Sequence, residues 1–328
     1  MSGPRTAALR LALGLFVGAF VGAFEVGPAA AEAPAPGVVE RSRLEVQPGV
    51  ARAITQVSID NPLGDVRVEG YDGTSILIET RKQAPDEATL ERLHVSLVPD
   101  PDGTVRISTS ATGGREVRSV GRGQVRVDLV IRAPRDARID ASVGTGTLEV
   151  KDLDAGGELD SASGPIRVQN VAGMLVTHSL SGATSITQAF GSVDAESVSS
   201  DVSLDTIGGD RLIASVSKGK IAGRRVRSRN VELTTTDGSI VLEAEAMLRG
   251  RMVISTLRGD IDVRVHQTGA LVVRARGVKV ELGPAMAAVG AEPGGWTRAH
   301  RGVLQSGAVA SMIELRSRHG NVQFAIVE

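Results

Sequence analysis

A short phrase recurs at a nearly constant spacing through the second half of the chain. It consists of glycine or serine, one further residue, and then aliphatic residues that alternate with polar ones, as in Gly164-Pro165-Ile166-Arg167-Val168. Successive copies begin at residues 146, 164, 182, 200, 219, 238 and 259, and a further copy begins at 320. The first seven copies therefore follow one another at a step of about 18–21 residues, which is the signature of a repeat architecture whose units pack on their neighbours.

The pattern within each copy predicts short β-strands. Apolar and polar residues that alternate over four or five positions indicate a half-buried strand, and a preceding glycine allows a tight corner. We therefore predict an all-β chain built as a parallel β-helix, or β-solenoid, with coils of about 18–21 residues, and we favour the right-handed form. A β-sandwich also uses short alternating strands and remains the alternative, although it needs no fixed step.

The repeat also predicts the core, because stacked coils place equivalent residues above one another at ~4.8 Å. We expect Val202, Ile240 and Ile261 to point inward and to stack in one column. The whole predicted column is Leu148, Ile166, Thr184, Val202, Ile221, Ile240, Ile261 and Val322. A core of stacked aliphatic residues explains how a chain with only one Trp, one Tyr and five Phe residues can fold.

Three further segments are distinguished by their patterns. Residues 38–133 are predicted to be a β-rich cap that begins the same stack, with one short helix over 85–93. Residues 134–328 are predicted to be the solenoid repeat region, in which the order of coils along the axis follows the order of the sequence. Residues 283–302 interrupt the rhythm with Gly and Pro, and we interpret them as a loop insertion from one coil.

The N-terminus resembles a targeting segment. Arg5 and Arg10 precede an uncharged apolar run, and Ala29-Ala30-Ala31 fits a cleavage site, so residues 1–31 are predicted to be a secretory signal peptide. A retained membrane anchor is the alternative, but the run is short for a bilayer. Residues 32–37 are predicted to be a linker, and no later stretch is apolar and long enough to span a membrane. The predicted location is the periplasm, with the cell surface and the exterior as alternatives.

The residues before the repeat carry a resemblance to a known family. The phrase Asp65-Val-Arg-Val-Glu-Gly-Tyr-Asp-Gly73 is followed by strand, short helix and strand, and then by Ile131-Arg-Ala-Pro134. This order resembles the bacterial exported β-strand-repeat family of unknown function labelled "putative adhesin". The resemblance covers roughly residues 40–328 and implies an exported β-helical protein. It supplies no catalytic residues, and residues 276–282 run one register off its pattern.

Composition and motifs argue against most chemistry. Without cysteine the chain can form no disulfide, zinc–thiolate site or cysteine nucleophile, and so few aromatic residues argue against nucleic-acid binding. No Walker A loop, dinucleotide fingerprint or nucleophile elbow is present, and the five histidines lack the paired spacing of a zinc site. His178 and His266 are interpreted as corner or surface residues. We therefore predict no catalytic residues, no cofactor, no metal and no enzymatic activity.

Charge is distributed unevenly along the sequence. Residues 134–210 hold 4 basic and 12 acidic side chains, whereas residues 211–328 hold 18 basic and 10 acidic ones. The densest basic stretch gives the candidate anion-binding residues Arg224, Arg225, Arg227 and Arg229. Solvated surface with ion pairs between coils is the alternative interpretation.

These observations favour an exported, non-enzymatic, adhesin-like β-helical protein that acts in structure or interaction. The basic C-terminal coils are expected to bind anionic envelope or glycan surfaces. The candidate partners are an anionic polysaccharide, lipopolysaccharide or another copy of the chain head-to-tail, and not nucleic acid. One alternative is a carbohydrate-active β-helix enzyme with a site near Trp296, His300 and Arg301, which are otherwise candidate loop contacts. Another is an envelope sensor or accessory protein.

Overall fold

The computed structural model describes residues 37–47, 53–113, 124–266, 269–302 and 310–327, all within one compact unit over Pro36–Glu328. The signal peptide predicted over residues 1–31, and all of the predicted linker except Gly37, lie outside the described residues. No helix within the described ranges is long and apolar enough to cross a membrane.

The described residues form strands almost throughout, with one short helix. The strands before the repeat are β1 (Val38–Val46), β2 (Gln56–Asn61), β3 (Val66–Tyr71), β4 (Ile76–Ala84), β5 (Leu93–Pro99), β6 (Thr104–Ala111) and β7 (Arg126–Pro134). The helix α1 (Glu87–Glu91) lies between β4 and β5, and the Asp86 carboxylate caps it by accepting a hydrogen bond from the Thr89 amide at 2.7 Å. This confirms the β-rich cap with one short helix.

The repeat begins at β8 and runs on through long strands that turn a corner. Its strands are β8 (Arg138–Val143), β9 (Leu148–Leu153), β10 (Gly156–Ser161), β11 (Ile166–Ser179), β12 (Thr184–Ser197), β13 (Val202–Lys218), β14 (Ile221–Asp237), β15 (Ile240–Glu245), β16 (Arg251–Arg258) and β17 (Ile261–His266). The final strands are β18 (Leu271–Arg276), β19 (Val280–Leu282), β20 (Ala287–Glu292), β21 (Trp296–Arg301), β22 (Ser311–Ser317) and β23 (Val322–Val327).

Each coil crosses the stack twice, once on each of two faces. Face 1 consists of β2, β5, β6, β8, β10, β16, β18, β20, β21, β22 and the second halves of β11 to β14. Face 2 consists of β1, β3, β4, β7, β9, β15, β17, β19, β23 and the first halves of β11 to β14. The inward side chains of both faces form a single apolar core. The predicted β-solenoid is confirmed.

The predicted core column is present on face 2. Leu148, Ile166, Thr184, Val202, Ile221, Ile240, Ile261 and Val322 are register partners from one coil to the next. All eight are buried, including Val202, Ile240 and Ile261. Equivalent side chains of successive coils pack on one another inside the stack, so the column forms without large aromatic side chains.

The glycine that opens most copies of the phrase is required by close contact between coils. A Cβ on Gly164 would lie 1.7 Å from the Gly146 carbonyl oxygen, and one on Gly182 would lie 1.8 Å from the Gly164 oxygen. Buried hydroxyls reinforce the same corner, since Ser161 Oγ donates to the Gly164 carbonyl at 2.6 Å and Thr256 Oγ1 donates to the Gly238 carbonyl at 3.0 Å. The repeat therefore keeps space at the corner as well as the strand pattern.

The N-terminal end of the stack breaks the order of the sequence. The coil of β6 and β7 lies outside the coil of β2 and β3, so that β2 pairs with β6 and β8, and β3 pairs with β7 and β9. Antiparallel strands cover this end coil: β5 pairs with β6, β4 pairs with β7, and β1 pairs with β4. Axial order therefore departs from sequence order at this end, because the later strands β6 and β7 complete it.

The C-terminal end breaks the order in the same way, so the expectation that coils over residues 134–328 follow the order of the sequence is wrong there. Strand β22 lies between β16 and β18, and β23 lies between β17 and β19, so the last coil is inserted beneath the one that precedes it in sequence. Within residues 283–302, β20 and β21 form an antiparallel hairpin that pairs with β18. The expected loop insertion is therefore largely a β-hairpin, because its backbone groups extend face 1 at the end coil.

Candidate functional site

The predicted basic stretch lies at the corner after the first half of β14, where carboxylates meet it. Arg224 forms an ion pair with Asp205 at 2.6 Å, and Arg225 pairs with the same carboxylate. Arg227 pairs with Glu245 at 2.7 Å. The hydrogen bond from Arg224 is the main cause that lowers the pKa of Asp205 below its ordinary value. Three of the four candidate arginines therefore already have acidic partners, and their role in binding anions stays a prediction.

Arg229 differs from the other three, because it forms no ion pair with another described residue. Arg225 itself occupies a special corner position, with φ at +51°. The equivalent residues of earlier coils, Asp152, Asn170, Gln188 and Thr206, also have positive φ. Arg225 Nε donates to Thr206 Oγ1 at 2.9 Å, so this side chain bonds to the equivalent residue of the preceding coil.

The three candidate loop contacts lie on β21 of the hairpin, but they do not share one side. Side chains along a strand point alternately to its two sides. Ala299 is fully buried, so Arg301, two residues later, lies on the same inward side, whereas Trp296 and His300 lie on the outer side of face 1. The Arg274 guanidinium lies 5.0 Å from the centre of the Trp296 ring and forms an ion pair with Glu292 at 2.9 Å. His300 Nδ1 is buried without a hydrogen-bond partner among the described residues.

Sequence reasoning missed a pair of arginines that the inserted coil brings together. Arg276 on β18 and Arg316 on β22 are register partners, and both are exposed. Neither forms an ion pair with any other described residue. Like charges directly opposite each other on neighbouring strands are unfavourable unless an anion lies between them. No local signal joins residues 276 and 316, because their contact depends on the out-of-order coil.

Aromatic and polar groups flank the arginine pair. The register of β18 and β21 pairs Ala275 with Thr297, which puts Trp296 next to Arg276 on the end strand. Arg276 Nε is 3.9 Å from the position that a Cβ on Gly295 would take, so the guanidinium group lies beside the hairpin turn. Arg316 is followed on its other side by Ser255 of β16. We call Arg276, Arg316 and Trp296 the basic row.

A family comparison identifies the architecture. Residues 54–323 match the family described as "Toastrack DUF4097". The chain belongs to the Toastrack DUF4097 family. No curated protein matches it. The expected membership of a known family of β-strand-repeat proteins is thereby confirmed.

Three solved structures illustrate how far the similarity extends. A "putative adhesin" from Bacteroides fragilis is 13% identical, with 88% of this chain and 97% of that chain covered at a TM-score of 0.40. A "putative lipid binding protein" from Parabacteroides distasonis is 12% identical, with 87% and 96% covered at a TM-score of 0.49. A "putative cell adhesion protein" from Clostridium sporogenes is 11% identical, with 88% and 100% covered at a TM-score of 0.29.

A second polar region of the Toastrack chain lies on the outer side of face 1, nearer its N-terminal end. A groove of about 610 Å³ runs along several coils there, and Asp160, His178 and Glu196 are among the residues that line it. Leu180 and Val198 add exposed apolar surface to the same groove. We call this groove the acidic groove. Face 1 thus carries carboxylates in its earlier coils and unpaired arginines at its C-terminal end.

Proposed function

We propose that this Toastrack protein is an exported, non-enzymatic binding module of the cell envelope, and that it holds an acidic polysaccharide on the basic row. The observation that carries the proposal is the register pairing of Arg276 with Arg316 without an acidic partner among the described residues. Carboxylate or sulfate groups of a sugar polymer would supply the missing negative charge, since guanidinium groups bind such anions in a bidentate manner.

The neighbouring tryptophan supports a sugar polymer over a small anion. Trp296 is half-buried and lies next to Arg276 along the end strand, so part of its ring is available to the face of a sugar. Arg274 lies on the ring at 5.0 Å and is neutralised by Glu292, which fixes the aromatic group in place. A repeat surface with flat strands suits an extended ligand that contacts several coils.

Binding to immobilised heparin at low salt tests the proposal. The double variant Arg276→Ser with Arg316→Ser should bind about tenfold more weakly, because two charged contacts at an exposed surface are lost. The matched control is Arg224→Ser with Arg225→Ser, which removes two arginines that already pair with Asp205. We expect the control to elute at the same salt concentration as the wild type.

The pattern of the two double variants decides the site. Equal retention of wild type and Arg276→Ser/Arg316→Ser would refute the basic row, and a loss confined to the Arg224→Ser/Arg225→Ser control would assign binding to the predicted stretch instead. Trp296→Ala should weaken binding to heparin but leave retention on a phosphate matrix unchanged. Added salt should weaken every one of these interactions, because exposed charges are screened over ~8 Å at physiological ionic strength.

The proposed location rests on the N-terminal sequence. The charged, apolar and small-residue segments of residues 1–31 fit a signal peptide that is removed on export. Fractionation of cells that carry a C-terminally tagged copy should recover the shortened protein in the periplasm. Recovery of the full-length protein in the cytoplasm would contradict export.

A further inference from the structure

Three side chains of the acidic groove stack in register on successive coils. Asp160 on β10, His178 on β11 and Glu196 on β12 are strand-pair partners on the outer side of face 1. Glu158 lies two residues before Asp160 and projects to the same side. The rigid stack therefore holds one imidazole between carboxylates from the coils below and above it.

The nearest donor atoms are grouped closely enough for a single ion. One carboxylate oxygen of Glu158, one of Asp160 and one ring nitrogen of His178 all lie within 4.8 Å of one another. A tetrahedral ion at ~2.1 Å from each donor needs donors about 3.4 Å apart. Glu158 is exposed and Asp160 and His178 are half-buried, so small rotations of these side chains would close the site.

Glu196 supplies the outer contact that metal-binding histidines normally have. Its Oε2 atom lies 3.4 Å from His178 Nδ1, which leaves Nε2 as the second ring nitrogen. An ion on Nε2 would give the order carboxylate, histidine, metal, in which the outer carboxylate fixes the tautomer and the orientation of the ring.

Carboxylates outnumber basic side chains around His178. Arg138 forms ion pairs with Asp140 at 2.9 Å and with Glu158 at 3.6 Å, but Asp160 and Asp194 have no basic partner of this kind among the described residues. Burial, followed by the charges of Glu158 and Asp140, raises the pKa of Asp160 above its ordinary value, although His178 opposes the shift. Burial and Glu196 raise the pKa of Asp194 in the same way.

We propose that Glu158, Asp160 and His178 bind a divalent transition-metal ion, with zinc as the best match, and that Glu196 positions His178. Two carboxylates and one imidazole form a donor set that zinc accepts, and the exposed side of the groove leaves a fourth position for water or a ligand. Calcium is a poorer match, because it requires six or more oxygen donors. The site is independent of the basic row.

The chain offers a matched control histidine on face 2. His266 Nε2 lies 3.6 Å from Glu243, and its side chain is 42% exposed, compared with 41% for His178. His266 belongs to no group of three potential metal ligands among the described residues. His266 therefore shows how much zinc binding a half-exposed histidine with one carboxylate neighbour provides on its own.

Zinc titration of the tag-free protein, followed by calorimetry and by thermal denaturation, tests the site. We expect one zinc ion per chain and a rise in melting temperature that EDTA reverses. His178→Gln should abolish both effects, His266→Gln should leave them unchanged, and Glu196→Gln should weaken zinc binding about tenfold, as loss of an orienting partner does.

Several outcomes would overturn the assignment. They are an absence of zinc binding in the wild type, zinc binding retained in His178→Gln, a loss of binding in His266→Gln, or a response to calcium but not to zinc. Melting without metal shows that His178→Gln is folded. Heparin binding of the same variant should match the wild type, so failure of the metal site and failure of the proposed polysaccharide site can be told apart.

Discussion

From the coil of β8 and β9 to the coil of β16 and β17, coils that are consecutive in the sequence pair with one another, whereas at both ends the coils are out of order. In the middle of the stack, parallel register continues from Leu148 to Ile261 through partners that are one coil apart. At the ends, Val57 pairs with both Val105 and Ile139, and Ile313 pairs with both Met252 and Val273. Strands in the middle of the stack thus pair with strands about one coil away in the sequence, whereas strands at the ends also pair with more distant segments.

The difference shows that a repeat specifies how coils stack but not which coil lies last. A terminal coil of a solenoid exposes unpaired backbone groups and inward apolar side chains, which favour aggregation. Here the end coils are closed by antiparallel strands, β4 and β5 at one end and the β20–β21 hairpin at the other. Closure of this kind needs segments that do not follow the repeat.

We expect removal of the inserted C-terminal coil to cause the largest loss of stability. Deletion of residues 310–327 removes the buried side chains Ile313, Leu315, Val322 and Phe324 and leaves β18 and β19 without their parallel partners. We expect a loss on the order of 10 kcal/mol, since each fully buried aliphatic or aromatic side chain contributes about 1.5–3 kcal/mol. Limited proteolysis should then cut within residues 269–302, and the melting temperature should fall steeply.

Deletion of residues 37–47 is the control, because β4 is the only described strand that pairs with β1, and β1 is almost entirely exposed. It should lower the melting temperature by only a few degrees. If residues 269–302 stay protected in the C-terminal deletion, the inserted coil does not hold the end together.

A second prediction compares glycines in the two regions. Gly182→Ala in the middle of the stack places a Cβ 1.8 Å from the Gly164 carbonyl oxygen and must force two coils apart, which should cost about 3 kcal/mol. Gly290→Ala in the end hairpin meets no atom within 4 Å and carries only the strain of a φ of +131°, about 1 kcal/mol. Urea denaturation of both variants measures the difference. Equal losses of stability in the two variants would show that the close contact between coils is not the reason for glycine at the corner.

A third prediction concerns buried hydroxyls, whose roles differ between the regions. At the N-terminal end, Thr109 Oγ1 donates to the buried Asn61 Oδ1 at 2.6 Å, and Asn61 Nδ2 donates to the Val127 carbonyl at 2.8 Å, which ties β2 to β6 and β7. Thr109→Val should cost about 1–2 kcal/mol, because it weakens this network. Thr184 Oγ1 in the core column has no hydrogen-bond partner among the described residues, so Thr184→Val should stabilise the protein by about 1 kcal/mol.

Thermal denaturation of these two single variants should therefore shift in opposite directions. Matching shifts of either sign would contradict the idea that specific polar contacts hold the ends while apolar stacking holds the middle.

The sequence predicts the middle of the stack well, because identical local rules apply in every coil. The core column could be read directly, even across the gap between Ile261 and Val322. The order of coils at the ends could not, because β22 and β18 are both acceptable partners for β16 and only tertiary packing selects between them. The hairpin formed by β20 and β21 was also missed, since Pro293-Gly294-Gly295 reads equally well as a loop and as a hairpin turn.

The candidate sites were less predictable than the fold. Local charge density drew attention to Arg224, Arg225 and Arg227, yet their partners Asp205 and Glu245 lie about one coil away and are invisible to a local count. The two arginines of the basic row come from strands that the hairpin separates in sequence.

The candidate metal ligands were hidden for a related reason. His178 has no second histidine at ligand spacing along the chain, and its carboxylate neighbours Asp160 and Glu196 come from the coils before and after it. Because each neighbour is displaced from His178 by one full repeat, the group would have emerged from the sequence once the register of the coils was known.

The inserted strands also determine how the molecule resists a pulling force. A force on Val327 acts on β23, which pairs with β17 along its whole length and with β19 over residues 322–324, so the strand must shear past β17 and separate from β19 before it is released. A force on Val38 instead meets β1, which pairs along one edge only among the described strands and can be separated from β4 one residue pair at a time. Single-molecule extension should therefore show a soft yield at the N-terminal end and an abrupt rupture at higher force at the C-terminal end. The inserted coil therefore makes the C-terminal end of the stack more resistant to extension than the N-terminal end.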